Sequence, residues 1–164
     1  LAVALGQVAV AGRPHLFTAP PLALPLEAQF GGAVALLGAD AAGGLAGTPG
    51  QPVTFSGAWQ ALATPQADLV RFGHLLDAAG QLGAQQDAAP CQGGCPASSW
   101  LPGEILLDPV ELALPADLPA GSYTLAVGWY DAAAPAQRLA AVDGQGQPLA
   151  GDILTLPSVI IVQP

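Results

Sequence analysis

Glycine and proline interrupt this sequence before any apolar run grows long, and that constrains the fold more than any other feature. The chain of 164 residues holds 21 Gly and 17 Pro. Between these breaks, large apolar residues alternate with small or polar ones at period 2, and no window longer than one turn carries a helical period. The expected fold is therefore all-β: an immunoglobulin-like (fibronectin III-like) antiparallel β-sandwich of about 7–9 strands. Residues 1–164 read as a single domain, with 1–26 giving a first strand and a proline-rich connector and 27–164 the main sandwich.

The strands follow from the alternation. Residues 1–11 form a first strand, 13–25 a connector too rich in proline to join a ladder easily, and 30–37 the next strand. Residues 41–52 read as a flexible loop before a strand over 53–61, where Val53, Phe55 and Trp59 share the face expected inside. Residues 69–76 and 81–86 form a hairpin through Asp77 and Gly80. A strand over 105–114 carries Pro109, which cannot donate to a ladder and so calls for an edge or a bulge. Residues 123–130 put Tyr123, Leu125, Val127 and Trp129 on one side, and the Val-Ile-Ile-Val run ending at 162 suits burial on both faces.

Although 52% of the residues are hydrophobic, no segment supplies the roughly 20 apolar residues of a spanning helix. The chain opens on an alternating stretch without a basic region or a cleavage site, and is expected to be a piece of a larger protein. There is no lysine, arginine stands only at 13, 71 and 138, and the formal net charge is -9. Three scattered arginines make no phosphate-binding patch, so nucleic acid is excluded as a partner, and anionic lipid is disfavoured for the same reason. Cys91 and Cys95 flank two glycines in one loop. The first reading is a local disulfide, which implies an oxidising compartment; idle thiols or half of a metal site are the other readings, although zinc needs about four ligands.

Leu118-Pro119-Ala120-Gly121-Ser122-Tyr123 is similar to the tyrosine corner of immunoglobulin-like sandwiches, in which a tyrosine near the start of a late strand bonds back to the backbone. Leu125 stands where an antibody domain has its core cysteine, so apolar packing must join the sheets.

A wider set of short motifs recurs in order: Phe30 to Gly38, Trp59-Gln60-Ala61-Leu62, Phe72-Gly73-His74-Leu75-Leu76-Asp77, Gln85-Gln86-Asp87, Pro90, Ser99-Trp100-Leu101-Pro102-Gly103-Glu104, Asp108, Leu114-Pro115, Gly121 to Asp131, and Arg138-Leu139. Together they resemble a β-sandwich domain of Chloroflexus-type bacteria. That domain is often the outer C-terminal part of membrane proteins similar to dolichyl-phosphate-mannose protein mannosyltransferases. The sequence departs from that pattern at Ala39, where a tyrosine is usual, and in its cysteine pair. The resemblance implies an extracytoplasmic domain tethered to a membrane-embedded parent chain, and implies no activity.

Chemistry-bearing residues are few. His15 lies in the connector, and His74 alternates with Phe72 and Leu76 on a strand, as a structural histidine does. Asp87, Glu104 and Asp108 are near enough in sequence to consider as paired carboxylates. Asp131, Asp143 and Asp152 are the residues to consider for calcium, but match no loop motif. Trp100 sits before a turn that can expose its ring, and with Gln85, Asp87 and Glu104 it would stack and bind a sugar; the plainer alternative is a plug at one end of the sandwich. The resulting expectation is a non-catalytic accessory domain without cofactor or metal, whose partner is the rest of its parent chain. A carbohydrate-binding module built on Trp100 is the second reading.

Overall fold

The computed structural model describes residues 12–41 and 45–161. Alternating burial along its strands builds two sheets, each apolar on the side that faces the other. The strands are β1 (Leu24–Phe30), β2 (Val34–Asp40), β3 (Leu45–Gly47), β4 (Pro52–Ala61), β5 (Leu69–Leu76), β6 (Leu82–Ala88), β7 (Ile105–Ala113), β8 (Gly121–Asp131), β9 (Ala141–Asp143) and β10 (Leu154–Ile161). One sheet has the order β7-β4-β2-β1-β9 and the other β3-β10-β8-β5-β6. The described residues form a β-sandwich of ten strands, somewhat more than the sequence suggests, and one pairing among them, β3 with β10, is parallel.

Several boundaries differ from expectation for local reasons. The strand read over 30–37 is a hairpin corner: Gly31 and Gly32 have φ of 58° and 65°, and Phe30 pairs with Val34. Only glycine enters that region freely, so an apparently continuous apolar run becomes two strands. The presumed connector contributes β1 from Leu24, and the presumed flexible loop contributes β3. The strand read over 1–11 lies outside the described residues. Elsewhere the alternation holds. Val53, Phe55 and Trp59 are buried, as are Tyr123, Leu125, Val127 and Trp129. Pro109 stands in β7, an edge strand, where its missing N–H costs no ladder bond. Asp77 closes the β5–β6 turn by accepting from the N–H groups of Ala79 and Gln81 at 2.8 Å each.

The core is organised around edge-to-face aromatics. Phe30 meets Trp59 at 5.8 Å between centroids, Trp59 meets Trp129 at 5.0 Å, and Trp129 meets Trp100 at 5.8 Å. Two of these rings belong to one sheet, one to the other, and the last to a loop, so the chain of rings ties the sheets together without an inter-sheet disulfide. No helix of the described residues is long and apolar enough to cross a membrane.

Candidate functional site

Two polar clusters flank the core, and the residues singled out from sequence divide between them. The first lies at the end of the sandwich. The turn Leu101-Pro102-Gly103-Glu104 closes through the Glu104 N–H to the Leu101 carbonyl at 2.9 Å, with Gly103 at φ 85°, the conformation that glycine supplies after proline in a type II turn. It turns Glu104 inward, to 0% exposure. The segment from Gly12 to Phe17 crosses here as a strap: Ile105 donates its N–H to the Leu16 carbonyl at 2.6 Å, Arg13 Nη1 bonds Glu104 Oε1, and His15 Nδ1 lies 3.0 Å from the same oxygen. Burial by itself would push the Glu104 carboxyl up. The bonds from Arg13, the Leu101 N–H and His15, with the Arg13 charge, outweigh it and hold the carboxyl below its usual value.

Beside the strap, Cys91 and Cys95 form a disulfide, their Cα atoms 5.5 Å apart. The loop is tied to the interior at both cysteines. The Cys91 N–H donates to Asp108 Oδ1 at 2.7 Å, and the Cys95 carbonyl accepts the indole N–H of Trp100 at 2.9 Å. Asp108 is in turn paired with Arg71, and both side chains are 1% exposed. Arg71 also reaches Gln86 Oε1 through Nη2 at 3.3 Å. Trp100 itself is 1% exposed. The stacking role read for it is therefore corrected: its ring is the plug of this end of the core, and no sugar reaches it. Glu104 is likewise enclosed.

The other two residues of that set, Gln85 and Asp87, stand on the solvent side of the second sheet. β6 pairs with β5 so that Asp87 is opposite Phe72 and Gln85 opposite His74. Because β5 turns Leu69, Arg71 and Leu75 inward, Phe72 and His74 point outward with them. Tyr130 reaches across from β8 and donates its hydroxyl to Asp87 Oδ2 at 3.0 Å. His74 Nε2 is 3.6 Å from Asp87 Oδ1. The Phe72 ring lies 4.8 Å from His74 and 6.3 Å from Tyr130, with only 20° between the Phe72 and Tyr130 planes. The Arg138 guanidinium sits 4.8 Å above the Phe72 ring and donates to the Gly151 carbonyl at 2.8 Å. Gly128, opposite Phe72, permits this layer: a Cβ there would stand 2.4 Å from Phe72 Cζ. Burial lowers the affinity of His74 for its proton and Asp87 restores part of it, leaving the imidazole below its usual value. Burial raises Tyr130, and Asp87 adds to that.

The three carboxylates considered as a pair or triad are thus separated. Glu104 and Asp108 are neutralised inside by different arginines, and Asp87 lies on an outer face. Asp131 and Asp143 each cap their own loop, through Ala133 and through Gln145 and Gln147, while Asp152 accepts from Ala141. Among the described residues no three His, Cys, Asp or Glu side chains converge in a metal-binding group. Tyr123 Oη donates to the Pro119 carbonyl at 2.9 Å.

Arg13, His15, Arg71 and Arg138 carry the charge chemistry of both clusters, and spacing gives no clue to them because their partners lie far away in the chain. The one sequence signal is scarcity: with three arginines and no lysine, any buried carboxylate must take one of them. No protein-family model matches the chain, and no curated relative matches it.

Proposed function

We propose that this is a non-catalytic, immunoglobulin-like accessory domain facing an extracytoplasmic compartment, where it contributes contacts to a larger, membrane-anchored, glycosyltransferase-like parent. The observation that carries the reading is the disulfide built into the core through Asp108 and Trp100, since such bonds persist in oxidising compartments. The tyrosine-corner bond of Tyr123 supports the immunoglobulin-like assignment. The internal use of Glu104 and Asp108 supports an architectural role for carboxylates that hydrolysis would otherwise need at a surface cleft.

The test uses intact cells that make the protein at its native level. A membrane-impermeant maleimide, applied after an impermeant reductant, should label Cys91 and Cys95 without permeabilisation, in a membrane-associated chain longer than 164 residues. Labelling that appears only after permeabilisation, or without any reductant, would remove the extracytoplasmic placement.

A further inference from the structure

The geometry points to the outer face of β5, β6 and β8 as a binding surface for a neutral polysaccharide, laid across Tyr130 and His74 and held at its edge by Gln85, Asp87 and Arg138. Three observations converge on this ligand class. Tyr130 spans from β8 to Asp87 on β6, so its ring lies along the sheet, nearly parallel to Phe72. Phe72 itself is buried, so the part of this layer that meets solvent is Tyr130 and His74, and it is on these partly exposed rings that the C–H face of a pyranose packs.

Its rim is mixed in hydrogen-bonding character. Asp87 accepts, Arg138 donates and Gln85 does both, while burial lowers the affinity of His74 for its proton and so favours the neutral imidazole, which has one donor and one acceptor nitrogen. A hydroxyl-rich chain needs both kinds of partner at short intervals, and Gln85 and Asp87 stand two residues apart on one strand. Tyr130 holds Asp87 in position before any ligand arrives.

Charge narrows the class further. A net charge of -9 repels uronates, sulfated glycans and nucleic acids alike. The inference shares with the accessory reading only the compartment in which a glycan would be met.

Amide NMR titration of the whole chain with cellohexaose, xylohexaose and mannohexaose tests it, with a galacturonate hexamer as the acidic comparison. The expected result is a saturable shift for at least one neutral oligomer, centred on β5, β6 and Tyr130. Tyr130→Ala should weaken it about tenfold, and Gln85→Ala should weaken it with no change in melting temperature, because that side chain is exposed. Tyr130→Phe should keep the stacking surface and separate loss of the ring from loss of the hydroxyl. The inference is overturned if no neutral oligomer binds more tightly than about 10 mM, if the shifts map elsewhere, or if the acidic hexamer binds equally well. The maleimide test can fail without disturbing this result, and this titration can fail without disturbing that one.

Discussion

Arg71 is the residue on which most of the interior polar chemistry converges. It lies between the sheets, pairs with Asp108, reaches Gln86, and through Asp108 steadies the backbone of Cys91. A buried ion pair gains little over apolar packing, but removing one partner strands a charge. Arg71→Ala should therefore destabilise the fold by about 3–5 kcal/mol in urea titration, whereas Arg71→Met with Asp108→Asn should recover much of that loss. Equal damage from both would mean that volume, not charge, is what the site requires. Glu104 gives a pH dependence. Its folded pKa is depressed, so its stabilisation is complete above its usual 4.5 and disappears as pH falls through the lower folded value. Denaturant midpoints should fall on acidification below about pH 4.5, and Glu104→Gln should flatten that fall while lowering stability at pH 7.

Among the elements, the disulfide loop is the one whose contribution separates most cleanly. Closing so short a loop restricts the unfolded chain by about 2 kcal/mol, and replacing both cysteines with serine should cost roughly that. A larger loss, accompanied by a red shift in tryptophan emission, would show that the loop also keeps water from Trp100. The same scale shows why some elements were legible in the sequence and others were not. β4, β5 and β8 each have one face in the core over many residues, so alternation marks them. β3 and β9 are three residues each, too short for any period, and their pairing depends on partners far along the chain. The β1–β2 corner was hidden because Gly31 and Gly32 sit within apolar sequence, with no polar turn residue to signal a break. Trp100 shows the same limit for a site: a ring beside a Pro-Gly turn reads as exposable, and only the acceptor at Cys95 turns it inward. The outer-face cluster was half visible, since Gln85 and Asp87 were identifiable, but Tyr130 reaches it from β8 and Arg138 from the loop between β8 and β9. At Gly128 the dependence is sharp. Gly128→Ala should cost about 1–3 kcal/mol by thermal melting, because the added methyl meets both the Phe72 ring and the Asp152 carbonyl oxygen.

For the whole molecule, charge is the term that packing leaves uncompensated. Twelve acidic residues face three arginines. Arg71 is enclosed with Asp108 and Arg13 is occupied by Glu104, so among the described residues Arg138 is the one exposed arginine. The remaining carboxylates repel one another across the surface. Asp40 on β2 and Glu111 on β7, for instance, line one open groove on either side of β4. Self-repulsion of this kind destabilises the compact state and is screened by salt, whose Debye length falls to about 8 Å at 0.15 M. Raising sodium chloride from near zero to about 0.15 M should therefore raise the melting temperature at pH 7. A gain of about 2–4 °C would correspond to about 1 kcal/mol for a chain of this size. Glu111→Gln should raise the low-salt melting temperature and shrink the salt response, since it removes one member of a like-charged pair. A melting temperature that falls with salt would instead mean that the buried pairs of Arg13 and Arg71 feel the solvent, and that the enclosure of both clusters is less complete than their geometry indicates.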